Sequence, residues 1–273
     1  MGQLHRRTVG AVVTAAAVGL MAVATGCSGS GAAADDSPPG AEDSVDAVRG
    51  SADSLVRAGS SKARTSMEMA SGGTRVTIRG HGSYDFKRQL GRFVVVLPKD
   101  PAGTEEHRPI TELMAGGALY MKNRGAGVPS DKWVRIDTAS LSDGNLVAGG
   151  ATDPLAAAEL LRGVSKATYV GETRVAGVKV RHFRGSADLP RAARSASQGQ
   201  RGALGAAAKG FSKGGVPFDA YLDEQGRLRK LRQEFSVSNA EVASTTLLYD
   251  FGVKVDVRLP ASEDIFAGKI AEQ

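Results

Sequence analysis

From Lys62 onward, apolar and polar residues alternate along the chain, a two-residue period that predicts strands with one buried face. The clearest strand covers 74–86, where apolar and glycine residues form one face and basic and hydroxyl residues the other. The same period predicts further strands over 65–70, 93–97, 118–121, 133–136, 168–174, 178–184, 217–222, 228–237 and 242–257. Turn residues between neighbouring segments, such as Ala176-Gly177, favour antiparallel hairpins.

The last of these segments is the longest, and its alternation gives it one largely apolar side. The residues on that side are Ala243, Leu247, Tyr249, Phe251, Val253 and Val255. Because strands in an antiparallel sheet commonly bury one face, we expect this apolar side to face the core.

A helix is predicted ahead of the first strand. Val45, Val48 and Ala52 recur at three- and four-residue spacing, the pattern of one face of a helix. We expect this helix over 44–58, because Asp43 or Ser44 can cap its start and Gly59 ends it.

Two further segments have helical character. A helix is predicted over 153–161, since Asp153 can cap it and Pro154 suits its first position. The segment 189–215 is rich in Ala, Gly, Ser and basic residues, and we interpret it as a weak or mobile helix, or a lid. Long segments of this kind are often functional or disordered.

These elements predict the fold class. Each strand buries one face, so the sheet must curve onto covering elements. We expect a single α+β domain over 44–273, with a curved antiparallel sheet wrapped over a few helices. A flexible tether over 27–43 precedes it, because Gly, Ala, Ser, Asp and Pro38-Pro39 cannot bury enough surface to fold.

The N-terminal segment has the order of a secretion signal. Arg6 and Arg7 precede an apolar run over 9–23, and no acidic residue occurs before Asp35. The run is shorter and richer in Ala and Gly than a stable membrane-spanning helix. We expect residues 1–26 to be a disordered signal peptide that uses ordinary export, with twin-arginine export as the alternative.

Cys27 is the only cysteine of the chain, and an exported chain with one cysteine cannot form an internal disulfide. Residues 24–27 resemble the lipobox of bacterial lipoproteins, with Ala24 in place of the usual leucine. The resemblance implies cleavage before Cys27, attachment of a lipid to its sulfur, and a place on the extracytoplasmic face of the cell membrane. The alternative is an ordinary secretory signal with an accidental cysteine.

The charge balance of the chain and its lack of catalytic motifs limit the classes of function that the sequence supports. The chain has 35 basic and 29 acidic residues and a formal net charge of +6. We expect no nucleic acid partner, because such a partner needs a concentrated basic face, whereas anionic lipid headgroups suit a mildly basic surface. No HExxH, GxSxG or P-loop motif occurs in the sequence.

The histidines fit structural positions. His81 and His182 lie in predicted strands, and Glu105-Glu106-His107 fits a solvated charge run in a loop. We therefore expect no enzyme activity, no catalytic residue, no metal and no cofactor.

Several strand-and-turn segments resemble those of one family. They are 118–122 with 132–136, 217–223, and 248–252 followed by 257–260. Together with the lipobox-like cysteine, the tether and the opening helix, they resemble the LppX/LprG-type lipoproteins of the LolA-like lipoprotein-carrier superfamily, over about 44–266. The resemblance implies a half-barrel whose concave apolar face is covered by helices and leaves a cavity for acyl chains.

We therefore expect a membrane-anchored extracytoplasmic lipoprotein that binds lipids or lipidated molecules. Transfer of these molecules is a further expected role of the lipoprotein. Its partners are then the membrane, through Cys27, and an acyl-chain ligand such as a lipid or glycolipid, and we expect a monomer. The candidate cavity-facing residues are Val76, Ile78, Tyr84, Phe86, Phe93, Val95, Phe218 and Leu222. The alternative is a non-catalytic envelope scaffold or signalling interaction module with a solid core.

Overall fold

The computed structural model describes residues 40–71, 74–98, 108–124, 127–147, 151–211, 213–237 and 240–268. The predicted signal peptide, Cys27 and the segment Glu105-Glu106-His107 lie outside these residues. Pro38–Gln273 form one compact unit, which contains the sheet and its core. Within the described part of the chain, no helix has the length and apolar character needed to cross a membrane.

Eleven strands of the described chain form one antiparallel sheet that does not close. They are β1 (Ser60–Ser71), β2 (Thr74–Asp85), β3 (Leu90–Val96), β4 (Ile110–Ala115), β5 (Ala118–Lys122), β6 (Trp133–Asp137), β7 (Val164–Val175), β8 (Val178–Asp188), β9 (Gly215–Leu222), β10 (Leu228–Val237) and β11 (Ala240–Tyr249). Their spatial order is β6-β5-β4-β3-β2-β1-β11-β10-β9-β8-β7. The sheet therefore consists of two meanders joined by the pairing of β1 with β11, and it has the curved half-barrel form that we expected.

Five α-helices accompany the sheet in the described residues. They are α1 (Ala41–Arg49), α2 (Ser51–Ala58), α3 (Pro154–Leu160), α4 (Leu189–Ser195) and α5 (Gln198–Gly210). The helix predicted over 44–58 begins three residues earlier and is broken at Gly50 into α1 and α2. The helix prediction for 189–215 is confirmed, and the segment forms both α4 and α5.

The helices pack on one face of the sheet, which we call the covered face; the other is the open face. On β3 the two faces alternate residue by residue. Phe93 and Val95 are fully buried on the covered face, whereas Arg92 is exposed and Val94 half-buried on the open face. The core lies between the covered face and the helices.

The strand β4 is absent from the sequence prediction because its alternation of apolar and polar residues breaks at Glu112 and Leu113. Glu112, a charged residue, is fully buried on the covered face. Leu113, an apolar residue, lies on the open face opposite Arg92 and is 3% exposed. Leu113 is buried there because the C-terminal segment passes over this part of the open face, where Asp256 and Arg92 line the same depression.

The prediction for the last strand is wrong in length and in face. β11 ends at Tyr249 rather than at 257, because Asp250 and Gly252 take positive φ angles of 49° and 82° and form a turn. The buried side of β11 consists of Val242, Ser244, Thr246 and Leu248. Both sides of this strand carry apolar residues, so the alternation does not identify the buried one; the register with β1, which sets Leu248 opposite the buried Ala63, does.

The segment that follows β11 runs from β1 to the edge strand β6. The Gly252 amide donates to the Ser60 carbonyl at 2.9 Å, and the Arg88 guanidinium donates to the Val255 carbonyl at 2.8 Å. Ile265 then forms a parallel bridge with Trp133. The C-terminal segment thus covers part of the open face and reaches one edge of the sheet.

Candidate functional site

The predicted cavity-facing residues fall into two groups. Six of them lie in the core between the covered face and the helices, and each is at most 2% exposed: Tyr84, Phe86, Phe93, Val95, Phe218 and Leu222. Exposure this low means that no space as large as a water molecule adjoins most of these side chains. Val76, which is 36% exposed, and Ile78, which is half-buried, lie toward the free end of the β1–β2 hairpin.

Two glycines allow the largest of these side chains to lie flat against the sheet. A Cβ atom at Gly91 on β3 would lie 2.5 Å from the Tyr84 ring, and one at Gly185 on β8 would lie 2.9 Å from the Phe218 ring. Only glycine leaves room for an aromatic ring at these positions. Each half of the sheet therefore presents a closely packed aromatic surface to the helices.

A polar group lies within this apolar interior. The carboxylate of Glu112 accepts a hydrogen bond from the Ala151 amide at 3.3 Å through Oε2, and among the described residues its Oε1 has no partner. Burial raises the pKa of Glu112 to about 8, although the positive charge of Arg124 opposes the rise. The hydroxyl of Thr65 on β1 is also buried without a partner among the described residues.

The loop before α3 folds onto the covered face beside Glu112. The Thr152 and Ser244 hydroxyls lie 2.9 Å apart, and the Thr152 hydroxyl also contacts the Leu146 carbonyl at 3.3 Å. Buried Asp143 holds the loop in shape by accepting from the Val147 amide at 2.7 Å. This loop therefore occupies the centre of the covered face. The polar side chains of Glu112, Thr152 and Ser244 lie there, and we call them the polar strip.

The predicted cap of α3 is confirmed. Asp153 accepts hydrogen bonds from the amides of Leu155 at 2.8 Å and Ala156 at 3.2 Å. The Tyr84 hydroxyl donates to the same carboxylate at 3.2 Å. Burial raises the pKa of Asp153, and these hydrogen bonds oppose the rise. The cap therefore also ties α3 to β2.

A second buried carboxylate links the helices to each other. Glu159 on α3 is 1% exposed and accepts a hydrogen bond from the Arg162 guanidinium at 2.6 Å. Arg162 also donates to Asp53 on α2 at 2.6 Å, and the Ser197 amide donates to Glu159 at 3.1 Å. These bonds connect α2 and α3 to the start of α5. The spacing of Glu159 and Arg162 suits a pair one helical turn apart, but no local motif brings Asp53 and Ser197 to them.

The helix α5 covers the interior with little apolar surface of its own. Its buried residues are Gln200, Ala203, Leu204 and Ala207, so one leucine and two alanines anchor it. Its backbone approaches the neighbouring loop closely, because a Cβ atom at Gly144 would overlap the Ala203 carbonyl. The fit is close, but the apolar area that α5 buries is small.

The two histidines in the described part of the chain occupy structural or exposed positions. His182 Nε2 lies 2.6 Å from Asp219 Oδ1, and its ring stacks on Tyr221 with centroids 4.3 Å apart. Burial alone would raise the pKa of Asp219, but the hydrogen bonds from His182 and Arg184 lower it. His81 is exposed on the open face. Across the described ranges, no three His, Cys, Asp or Glu side chains are placed to hold a metal ion.

The fold thus defines a half-barrel sheet with a helical cover, and solved structures include similar ones. No family model and no curated protein sequence matches the chain. It is similar to LprF from Mycobacterium bovis, with 14% identity, a TM-score of 0.44, and 82% of this chain and 100% of that chain covered.

Two more structures show the same similarity. The lipoprotein LppX from Mycobacterium tuberculosis has 12% identity and a TM-score of 0.46, with 78% of this chain and 97% of that chain covered. A LolA superfamily protein from Nitrosomonas europaea has 10% identity and a TM-score of 0.35, with 76% and 94% covered. All three similarities are at sequence identities of 14% or less.

Proposed function

We propose that the protein is an extracytoplasmic lipoprotein, anchored to the membrane through Cys27, whose domain binds acyl chains between the covered face and the helices. It performs no covalent chemistry on them. The observation that carries the proposal is that an interior lined by aromatic and aliphatic side chains lies beneath a helix, α5, with a small apolar anchor.

Binding requires the cover to move, because the six buried candidates have almost no exposed surface. Burying a leucine contributes about 1.5–3 kcal/mol, and an acyl chain that buries about ten CH₂ groups gains about 8 kcal/mol. The free energy gained by burying the acyl chain exceeds the free energy that Leu204 and the two alanines contribute to holding α5 in place. Displacement of α5 is thus an energetically feasible route for the ligand to reach the apolar interior.

A disulfide across the cover tests this route. A Cβ atom at Gly202 on α5 would lie 3.2 Å from Cβ of Ala139, close to the spacing of about 3.5–4.5 Å found in disulfides. The double variant Ala139→Cys/Gly202→Cys is made in the soluble unit comprising residues 38–273, which lacks Cys27. Uptake of cis-parinaric acid is then followed by fluorescence in the oxidised and the reduced protein.

The reduced protein should bind the probe, and the oxidised protein should lose most of that binding, because the disulfide holds α5 against its neighbour. The single variants Ala139→Cys and Gly202→Cys are the controls and should bind under both conditions. Equal uptake by oxidised and reduced protein would exclude entry beneath α5. An absence of uptake by the reduced protein would exclude lipid binding altogether.

The second candidate function is an envelope scaffold or signalling interaction module with a solid core. The observation that favours it is the near-complete burial of Tyr84, Phe93, Val95 and Leu222, together with the polar strip at Glu112. Native mass spectrometry of the protein extracted from membranes separates the two candidates. Bound acyl species beyond the Cys27 lipid favour the carrier, whereas their absence favours the module.

A further inference from the structure

The open face of the sheet carries a group of cations on β1, β2 and β3. We call it the open-face basic patch, and its members are Arg64, Arg75, Arg79, His81 and Arg92, all exposed. The register brings them together, since Arg64 lies opposite His81 and Ser66 opposite Arg79. Arg92 follows on the next strand, opposite Ser83.

These cations are not neutralised. Among the described residues, Arg64, Arg75, Arg79 and Arg92 form no ion pair with a carboxylate, whereas nearby Asp85 already pairs with Arg88 at 2.8 Å. In the opposite half of the sheet, two arginines of the open face have carboxylate partners.

In that opposite half, Arg184 lies 2.9 Å from the Asp219 carboxylate, and Arg232 pairs with Glu234. The patch therefore differs from Arg184 and Arg232, because its four arginines have no carboxylate partner among the described residues.

Three members of the patch surround a depression of about 520 Å³. Arg64, Arg79 and His81 line it together with Ser66 and Thr245. Guanidinium groups and hydroxyls are the donors that bind phosphate oxygens. The depression therefore offers donors to a phosphate group, and Leu247 and Tyr249 give it an apolar side as well.

Exposed apolar side chains lie within the same patch. Val96 is 46% exposed and lies directly opposite Arg79 on the open face. The Arg64 guanidinium lies over the Tyr249 ring, 5.2 Å from its centroid. Cations mixed with exposed apolar and aromatic groups suit the interface of a membrane, where both headgroups and acyl boundary are present.

We propose that the open-face basic patch docks the domain on an anionic phospholipid surface, with headgroup phosphates between Arg64 and Arg79. This role goes beyond the proposed function, because it requires no acyl chain in the interior. The covered face and α5 then point away from the bilayer on which the domain rests. The basic residues of α4, such as Arg191 and Arg194, do not take part.

Vesicle co-sedimentation of the soluble unit, residues 38–273, tests the proposal. The vesicles are phosphatidylcholine alone or phosphatidylcholine with about 30% phosphatidylglycerol, whose charge attracts basic segments. The wild-type unit should bind the anionic vesicles and not the neutral ones. Binding should fall as salt rises, because the Debye length shrinks from about 10 Å at 0.1 M to about 3 Å at 1 M.

The variant Arg64→Gln/Arg79→Gln should bind about 25-fold more weakly, since each cation near an anionic surface contributes about a factor of five. The matched control is Arg191→Gln/Arg194→Gln, which removes the same charge from exposed positions on α4. The control should bind within about 2-fold of the wild type. Both variants should keep the wild-type circular dichroism spectrum and cis-parinaric acid uptake.

Four results would overturn the proposal. They are an absence of binding to anionic vesicles, equal binding to neutral ones, an equal loss in both double variants, and a larger loss in the α4 variant. An equal loss would mean that net charge alone attracts the domain, and a larger loss in the α4 variant would place the docking surface on the helical cover. None of these results depends on probe uptake, so the proposal can fail while lipid binding in the interior stands.

Discussion

The two faces of the sheet differ in side-chain packing and exposure, although the same strands form both. On the covered face, side chains are packed so closely that Phe93 and Val95 have no exposed surface. On the open face, the residue between them, Val94, is half-buried, and its neighbour Arg92 is exposed. The covered face therefore holds the fold together, while much of the open face is available for contact with other molecules.

The carboxylates show the same contrast. Glu112 and Glu159 are buried on the side of the helices; among the described residues Glu112 has no ion pair, whereas Glu159 pairs with Arg162. Glu68 and Glu234 lie exposed on the open face. A charge on the covered face must be paired or protonated, whereas a charge on the open face is stabilised by water.

The largest expected effect comes from removing an aromatic ring on the covered face. Phe93→Ala should lower the free energy of unfolding by about 3–5 kcal/mol, because it leaves a cavity in a closely packed core. The control Val94→Ala, on the open face of the same strand, should cost less than about 1 kcal/mol. Chemical denaturation of both variants measures the difference, and equal losses would contradict the distinction between the faces.

The next effect depends on pH and concerns Glu112. Its pKa is raised to about 8 in the folded protein, so the folded state retains a proton that the unfolded chain releases near its ordinary value of 4.5. The unfolded state therefore binds fewer protons between these values. Stability should fall as pH rises from about 4.5 to about 8 and level off above that.

Glu112→Gln removes the ionisable group and should remove the part of this fall that Glu112 causes, which leaves the variant about 5 kcal/mol more stable than the wild type at pH 8.5, at ~1.4 kcal/mol per pH unit between 4.5 and about 8. Near pH 5 the two proteins should differ little. The control Glu68→Gln, on the open face, should leave the pH profile unchanged. Urea unfolding at several pH values provides the measurement, and a Glu112→Gln profile that declines as steeply as the wild-type profile between about pH 5 and about pH 8 would refute the assignment.

A smaller effect is expected from the paired carboxylate. Glu159→Gln should lower the free energy of unfolding by about 2 kcal/mol, because it weakens a buried charge-assisted hydrogen bond with Arg162. Glu234→Gln, which removes the exposed pair with Arg232 on the open face, should cost less than about 0.5 kcal/mol. Thermal unfolding at neutral pH compares the two, and similar losses would mean that burial does not distinguish these pairs.

The sequence predicts most of the sheet, because most strands have apolar residues on a single face. It fails at β4, where Glu112 faces the core and Leu113 faces the C-terminal segment. It also misassigns β11, where both Val242 and Leu247 are apolar and only the pairing with β1 decides which one is buried. In each case a contact with a distant part of the chain decides which side chain is buried, and local periodicity does not predict that contact.

The burial of the candidate residues is predicted to a similar extent, and their contact with a ligand stays a prediction. Six of the eight cavity-facing candidates do lie together in the core, since the alternation of β2, β3 and β9 identifies their buried side. The polar strip at Glu112 and the links through Arg162 were not predicted. They depend on which carboxylate faces which loop, and spacing along the chain does not determine that.

The bridge between Ile265 and Trp133 bears on how copies of this protein behave at high concentration. The Phe266 amide donates to the Trp133 carbonyl at 2.8 Å, and Lys132 Nζ contacts the Glu263 carbonyl at 2.7 Å. Unpaired edge strands offer backbone groups to neighbouring molecules and promote aggregation. The C-terminal segment occupies part of that edge at β6, so the Trp133 carbonyl is already paired within the chain and is not offered to a strand of a neighbouring molecule.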